Sequence, residues 1–285
     1  MEVKKLGVVG AGQMGSGIAE VAAAAGIHVV MRDLTEEALE KAQARIAHDL
    51  SKRLDKGKIS SDEREEILGR VKTTCRLEEL GECDFLIEAA TENPGIKKQL
   101  FREIESLVGP QTILATNTSS ISITRIASYV ATPHRVIGMH FFNPVPVMKL
   151  VEVVRGVHTS DAAFRATWEL AQRLGKTPVE AKDMPGFISS RLIFNYMNEG
   201  LWTLYEGVGT AEQIDTIMRM GANHPMGPLE LADFVGLDTV LSVMRVLEEA
   251  FGDKYRPCPL LVKLVEAGRL GVKSGHGIYE HGAQR

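Results

Sequence analysis

A histidine, a glutamate and a serine could carry the chemistry in this sequence. His140 follows one short apolar run, Glu152 lies in the next, and Ser119 follows an earlier one. Histidine exchanges a proton close to neutral pH, its unperturbed pKa being about 6.5, so His140 could act as a general base towards a hydroxyl group. Glu152 could accept a hydrogen bond from the other imidazole nitrogen, fixing the tautomer and stabilising the charged ring. This is the base-plus-orienter logic of a catalytic triad without a covalent nucleophile. The Ser119 hydroxyl could bond a substrate oxygen as it changes from alcohol to ketone. Taken by themselves, the same residues fit a core histidine bonded to backbone and a glutamate on a surface strand equally well. A serine after a strand is commonly a helix cap, a part open to Ser119, Ser120 or Ser122.

Oxidising a secondary alcohol needs a hydride acceptor beside the base, and the first thirty or so residues form a site for one. Gly10-Ala11-Gly12-Gln13-Met14-Gly15 lies between a strand-like run at 6–9 and a small-residue helical pattern. In such a loop Gly10 permits the tight turn, Gly12 lets backbone approach a pyrophosphate and Gly15 lets the helix pack on the strand. Gln13 and Met14 belong to the same cofactor-binding loop, where the helix start offers unpaired N–H groups and a positive dipole end. Asp33 follows about 20 residues later, at the end of the second run, where an acceptor for a ribose 2′-hydroxyl belongs. Its charge repels a 2′-phosphate and favours NAD over NADP. The neighbouring Arg32 pulls the other way, because a guanidinium can bind that phosphate.

These residues need a scaffold, and the pattern supplies one. Strand-like runs at 6–9 and 28–31 enclose a helix, the size of one βαβ unit. A charged segment at 35–70, broken around Gly57, reads as two helices leaving the sheet. Further runs at 71–75, 85–89, 112–115 and 136–139 follow, with a helical pattern at 96–108. Two closing strands at 149–154 and 177–181 flank a helix at 162–174. This alternation predicts an α/β, Rossmann-type, doubly wound and mostly parallel sheet with a helical excursion after its second strand. From Pro185 the chain reads as all-α. The expected domains are therefore 1–184, binding the dinucleotide, and 185–285, helical.

Composition narrows the function classes. A formal net charge of −4 over 285 residues gives no global attraction to nucleic acid or anionic membrane. Apolar runs fall short of the roughly 18 residues of a membrane span. Cys75, Cys83 and Cys258 have neither metal-ligand spacing nor an even number for full pairing. They read as reduced thiols, and with an N-terminus that enters a strand at once they lead us to expect a soluble cytoplasmic protein without a structural metal.

Beyond the glycine loop, the segments AATENPGIKKQLF, ATNTSSISIT, GMHFFNPVPVMKLVEVV, DMPGFISSR, GPLELADFVGLDT and LVEAGRLGVKSGHGIY occur in order. Together they resemble the 3-hydroxyacyl-CoA dehydrogenase family over nearly the whole chain, most closely its short monofunctional branch acting on 3-hydroxybutyryl-CoA. The resemblance implies hydride transfer between a (3S)-3-hydroxyacyl-CoA and NAD, giving the 3-oxoacyl-CoA. It assigns His140 and Glu152 as the base pair and Ser119 to the substrate oxygen. Asn117 and Asn143 fall near the nicotinamide, Glu92 and Lys97 on the ribose and nicotinamide side, and Lys273 reaches the cofactor from the C-terminal segment. Glu92 and Lys97 also read as an exposed helix-start ion pair.

In the basic stretch 51–58, Ser51 and Lys56 match residues that contact coenzyme A in the family, although such a run is equally a solvated charged face. One position departs from the pattern: Ser190 stands where the family usually has an asparagine that helps bind the substrate carbonyl. Family members commonly dimerise through the C-terminal domain, whose apolar stretches 192–204 and 235–247 suit a helical bundle. Two other readings remain open, a dehydrogenase of a free hydroxy or sugar acid and a non-enzymatic, crystallin-like structural protein.

Overall fold

The computed structural model describes residues 2–282. The chain forms two compact units, and the division falls between Asp183 and Met184.

The first unit begins with β1 (Lys5–Val9), α1 (Gln13–Ala24) and β2 (His28–Arg32), followed by a two-helix arm, α2 (Glu36–Asp55) and α3 (Ser61–Gly69). The chain then alternates through β3 (Val71–Thr74), β4 (Phe85–Glu88), α4 (Pro94–Leu107), β5 (Ile113–Thr116), α5 (Ile123–Ala127) and β6 (Val136–Phe141). It ends with β7 (Leu150–Arg155), α6 (Asp161–Arg173) and β8 (Thr177–Lys182). Among the described residues the eight strands make one sheet, ordered β3-β2-β1-β4-β5-β6-β7-β8.

Neighbouring strands are parallel except β6 and β7, which are antiparallel. The reason is the short link 142–149, since a parallel crossover takes about a dozen residues or more. The sequence pattern ends its sixth run at residue 139, whereas β6 continues to Phe141 and takes in His140. Strand order reverses beside β1, between β2 and β4, which creates a crevice at the carboxyl ends of those strands.

Local sequence accounts for the arm. Leu39, Ala42, Ile46 and Leu50 recur at helical spacing and form the buried stripe of α2. Thr35 caps α2 by accepting the Ala38 N–H, and Ser60 with Glu63 forms a capping box on α3. Between the helices Gly57 takes a φ of 62°, a left-handed conformation that suits glycine. The main core gathers Leu6, Ile18, Met31, Phe85, Ile137 and Val153 with the α2 stripe. Each of these buried side chains larger than alanine contributes about 1.5–3 kcal/mol.

The second unit is helical: α7 (Ser189–Tyr205), α8 (Ala211–Gly221), α9 (Pro228–Val235), α10 (Leu237–Phe251) and α11 (Pro259–Glu266). Met197, Leu201, Leu229, Leu241, Met244 and Leu247 fill its core. The apolar stretch 235–247 is not one continuous helix. Gly236, with a φ of 100°, makes a corner between α9 and α10. Two buried aspartates hold this unit together: Asp215 accepts the Leu229 and Glu230 N–H groups and the Tyr279 hydroxyl, and Asp233 accepts the Ile278 and Tyr279 N–H groups.

Candidate active site

The crevice beside β1 is built by the glycine loop. Gly10 has a φ of 104°, and a Cβ there would come within 2.6 Å of the Ala89 carbonyl oxygen. A Cβ on Gly15 would lie 1.8 Å from the Gly10 carbonyl oxygen, so both positions are closed to larger residues by the loop's own backbone. At Gly12 the space is open, with no described atom within 4 Å of a Cβ. Gly12 is also the N-cap of α1, and no side chain among the described residues caps that helix. The first-turn N–H groups of Gln13, Met14 and Gly15 are therefore presented as an anion site with room before it.

Asp33 accepts the Ala11 N–H at 2.6 Å and the Leu34 N–H at 2.6 Å, which pins the glycine loop to the end of β2. A carboxylate has about four acceptor sites, so two remain for ribose hydroxyls. Asp33 and Arg32 line a cleft of about 390 Å³ with Leu34, Ile96 and Leu100, an apolar slot of the kind that takes a base. The Arg32 Nε is buried there without a hydrogen-bond partner among the described residues.

Further along the sheet, the β6–β7 register sets His140 directly opposite Glu152. Residues facing each other across an antiparallel pair project to the same side at about 5 Å, within reach of a side-chain contact. The His140 Nδ1 lies 2.8 Å from the Glu152 Oε2, with the imidazole 10% and the carboxylate 2% exposed. A carboxylate in that position assigns the proton to Nδ1. The Phe142 ring stands 4.9 Å from the imidazole, centroid to centroid. From the end of β5, the Asn117 Oδ1 accepts the Phe141 N–H at 2.8 Å, tying the loop after β5 to the end of β6.

Ser119 lies in that same loop. Its N–H donates to the Glu92 Oε1 at 2.9 Å, its hydroxyl lies 3.3 Å from the same oxygen, and the Thr118 hydroxyl donates to the Glu92 Oε2 at 2.6 Å. Glu92 thus joins the loop after β4 to the loop after β5. Lys97 is not its partner, which corrects the exposed helix-start pair. The Lys97 side chain is 1% exposed, and its ammonium meets the Glu88 carboxylate and the Thr116 hydroxyl.

Glu88 also accepts the Thr116 hydroxyl at 2.7 Å and the N–H groups of Ala90 and Thr91. The Glu88–Thr116 cluster was missed in the sequence reading, yet it left a signal. Glu88 ends an otherwise apolar run, and Lys97 shares the helical stripe of Leu100, Phe101 and Ile104.

The arm borders a second cleft, of about 800 Å³. Lys52, Arg53, Lys56 and Lys58 line it with Lys149, Arg173 and Lys176, against the acids Glu20 and Asp49. Seven cations face two acids here; the Lys176 ammonium is committed to the Val145 and Met148 carbonyls, and the others make a site suited to phosphate groups. Lys56 belongs to this wall, whereas Ser51 does not, and its hydroxyl donates to the Ala47 carbonyl at 2.8 Å. Glu20 is 1% exposed; burial pushes its carboxyl up to about 7, Asp49 adds to the rise, and Arg53 at 3.4 Å opposes it.

Ser190 and Lys273 belong to the second unit. Ser190 is 4% exposed in the first turn of α7, and the Lys273 ammonium pairs with Asp238.

Residues 5–184 match the model of the 3-hydroxyacyl-CoA dehydrogenase NAD-binding domain, and residues 186–281 match that of the family's C-terminal domain. A 3-hydroxybutyryl-CoA dehydrogenase of Bradyrhizobium diazoefficiens is 49% identical over 280 residues, covering 98% of this chain and 96% of the relative. One of Clostridioides difficile is 46% identical over 278 residues, covering 97% and 99%. Among solved structures, (S)-3-hydroxybutyryl-CoA dehydrogenase of Ralstonia eutropha superposes with a TM-score of 0.96 at 45% identity, covering 98% of this chain and 99% of that one. Family models that span both units, joined to a dinucleotide crevice and a paired imidazole on one sheet, lead to one conclusion: the chain belongs to the 3-hydroxyacyl-CoA dehydrogenase family and is an NAD-dependent oxidoreductase.

Proposed function

We propose that the protein interconverts (3S)-3-hydroxybutyryl-CoA and acetoacetyl-CoA, with His140 as the proton-transferring group. The observation that carries this reading is the His140–Glu152 pair, 2.8 Å apart and almost fully buried at the carboxyl end of β6. Glu152 occupies Nδ1, so a proton passing to or from the substrate oxygen travels through Nε2. As His140 becomes charged, the carboxylate behind it stabilises the imidazolium. Bound NAD supplies the acceptor for the hydride leaving C3 of the substrate. The Ser119 hydroxyl holds the substrate oxygen through its change from alcohol to ketone, in a loop braced by Glu92.

Gly10, Gly12, Gln13, Met14, Gly15 and Asp33 hold the cofactor's pyrophosphate and adenosine. Glu92, Asn117, Asn143 and Lys273 serve its nicotinamide half, as in the family, and Lys97 acts from behind them by holding Glu88 and Thr116. Lys56, with Lys52, Lys58 and Lys149 around it, receives the phosphates of coenzyme A. Ser51 is the weaker of the two sequence candidates, because its hydroxyl is already used within α2. Ser190 takes the place of the family's asparagine at the substrate carbonyl.

The working form is a homodimer in the cytoplasm. Leu192, Val208, Ile217 and Met220, all at least 66% exposed, support pairing through α7, α8 and the link between them. Light scattering should give twice the chain mass; a monomer at micromolar concentration would refute the dimer.

Following NADH consumption with acetoacetyl-CoA and, separately, with free acetoacetate tests the activity. Turnover of the thioester alone is expected. Turnover of only the free acid would reassign the enzyme to free hydroxy acids, and turnover of neither would overturn the reading.

A further inference from the structure

The loop 142–149, between the strands that carry His140 and Glu152, contains Asn143 and is gripped by two residues outside both nucleotide and substrate fingerprints. One is Gly17, on the buried face of α1. A Cβ there would stand 2.8 Å from the Val145 Cβ and 3.4 Å from the Pro146 Cδ, too close for any residue with a side chain while the loop keeps its place. Val145 is 2% exposed and seated against that glycine. Gly17 thus brings the loop against the helix that opens on the glycine motif.

The other residue is Lys176, just before β8. Its Nζ donates to the Val145 carbonyl at 2.5 Å and to the Met148 carbonyl at 2.9 Å. The next residue, Thr177, donates its N–H to the Lys149 carbonyl at 2.6 Å. Lys176 is 8% exposed; burial draws its ammonium below the usual lysine range, while the nearby Glu20 charge opposes this. A lysine is kept in such a place only where its protons have fixed acceptors. Within the loop, the Val147 and Met148 N–H groups both donate to the Pro144 carbonyl, so the turn is also closed on itself.

We infer that Gly17 and Lys176 are positioning residues for hydride transfer: from two different elements they clamp the loop that presents Asn143, fixing it against the nucleotide-binding helix. The inference rests on the proposed function, since Asn143 matters here through the nicotinamide. Among the described residues the Lys176 ammonium bonds the Val145 and Met148 carbonyls, and the His140–Glu152 pair is held in register by the sheet. Loosening the clamp therefore displaces the cofactor side of the reaction and spares the proton side.

The test compares the wild type with Gly17→Ala, Lys176→Met and Lys176→Arg, using NADH with hydrogen or deuterium at the transferred C4 position. Gly17→Ala and Lys176→Met should each lower kcat by about 10- to 100-fold, the scale for a misplaced reacting group. Both should raise the primary isotope effect as hydride transfer becomes limiting, leave the acid limb of the pH profile in place, and change NADH binding by less than about threefold. Lys176→Arg, which keeps the charge and the donors, should recover part of the loss.

Folded Gly17→Ala and Lys176→Met variants with wild-type kcat and isotope effect would overturn the clamp. If Lys176→Met fails to fold, Gly17→Ala decides, together with hydrogen exchange of the wild type. The Val147 and Met148 amides should be protected there, and exchange at the unprotected rate would also overturn it. A wild type inactive on acetoacetyl-CoA would remove the proposed function and the clamp with it, whereas an active wild type with unaffected variants would remove the clamp alone.

Discussion

Two regions of one sheet bury a carboxylate in a strand, and only the partner differs. At the end of β4, Glu88 meets the Lys97 ammonium, the Thr116 hydroxyl and two backbone N–H groups. On β7, Glu152 meets the imidazole of His140. The Lys97 ammonium, held by Glu88 and the Thr116 hydroxyl, braces the loops after β4 and β5, so the first pair is architecture. A histidine can give its proton up and take it back, so the second pair can do chemistry. A buried acid is therefore informative only together with the proton affinity of its partner. Glu20 on α1 is a third case: its nearest cation, Arg53, is 3.4 Å away, and its carboxyl is pushed up to about 7.

Changing the partners breaks the comparison most directly at Glu152. Glu152→Gln keeps the shape and removes the charge behind the imidazole. It should lower kcat/KM by about 100- to 10,000-fold in steady-state kinetics, with little change in thermal unfolding. An active variant would return the pair to structure.

At the other end of the comparison, Lys97→Met leaves Glu88 buried without its cation. Urea unfolding in the absence of ligand should show a loss of about 3–5 kcal/mol. Unchanged stability would deny the pair its bracing part.

The smallest expected effect is at Glu20. Its folded pKa is raised above the ordinary carboxylate value, so the stability it contributes is full below about pH 4.5 and is lost as pH rises through about 7. Glu20→Gln should flatten that decline by up to about 3 kcal/mol, read from unfolding at pH 5 and pH 8. The same slope in variant and wild type would assign the decline elsewhere.

Much of this was legible in the residues. The strand runs and the two-helix arm follow from apolar spacing and from caps that act over three or four residues, such as Ser60 with Glu63. The helical stripe of α4 places Lys97 among Leu100, Phe101 and Ile104, although its charge by itself also fits an exposed pair with Glu92. In the second unit, hydropathy does not mark the corner at Gly236 within the apolar-rich stretch 235–247, because a glycine's φ is not written in the hydropathy of its neighbours.

What the sequence by itself determined is the inventory: a glycine loop before a helix, an acid at the end of the second strand, and a histidine, a glutamate and a serine in recognisable segments. Those signals are local in the chain and survive without coordinates. Only the tertiary structure decided who meets whom. The antiparallel turn-back of β7 put Glu152 opposite His140, and the packing of α4 on the sheet gave Lys97 to Glu88. The approach of the 142–149 loop to α1 made Gly17 matter. Pairings of this kind depend on strand direction, register and distance between residues far apart in sequence, and these are fixed when the chain packs.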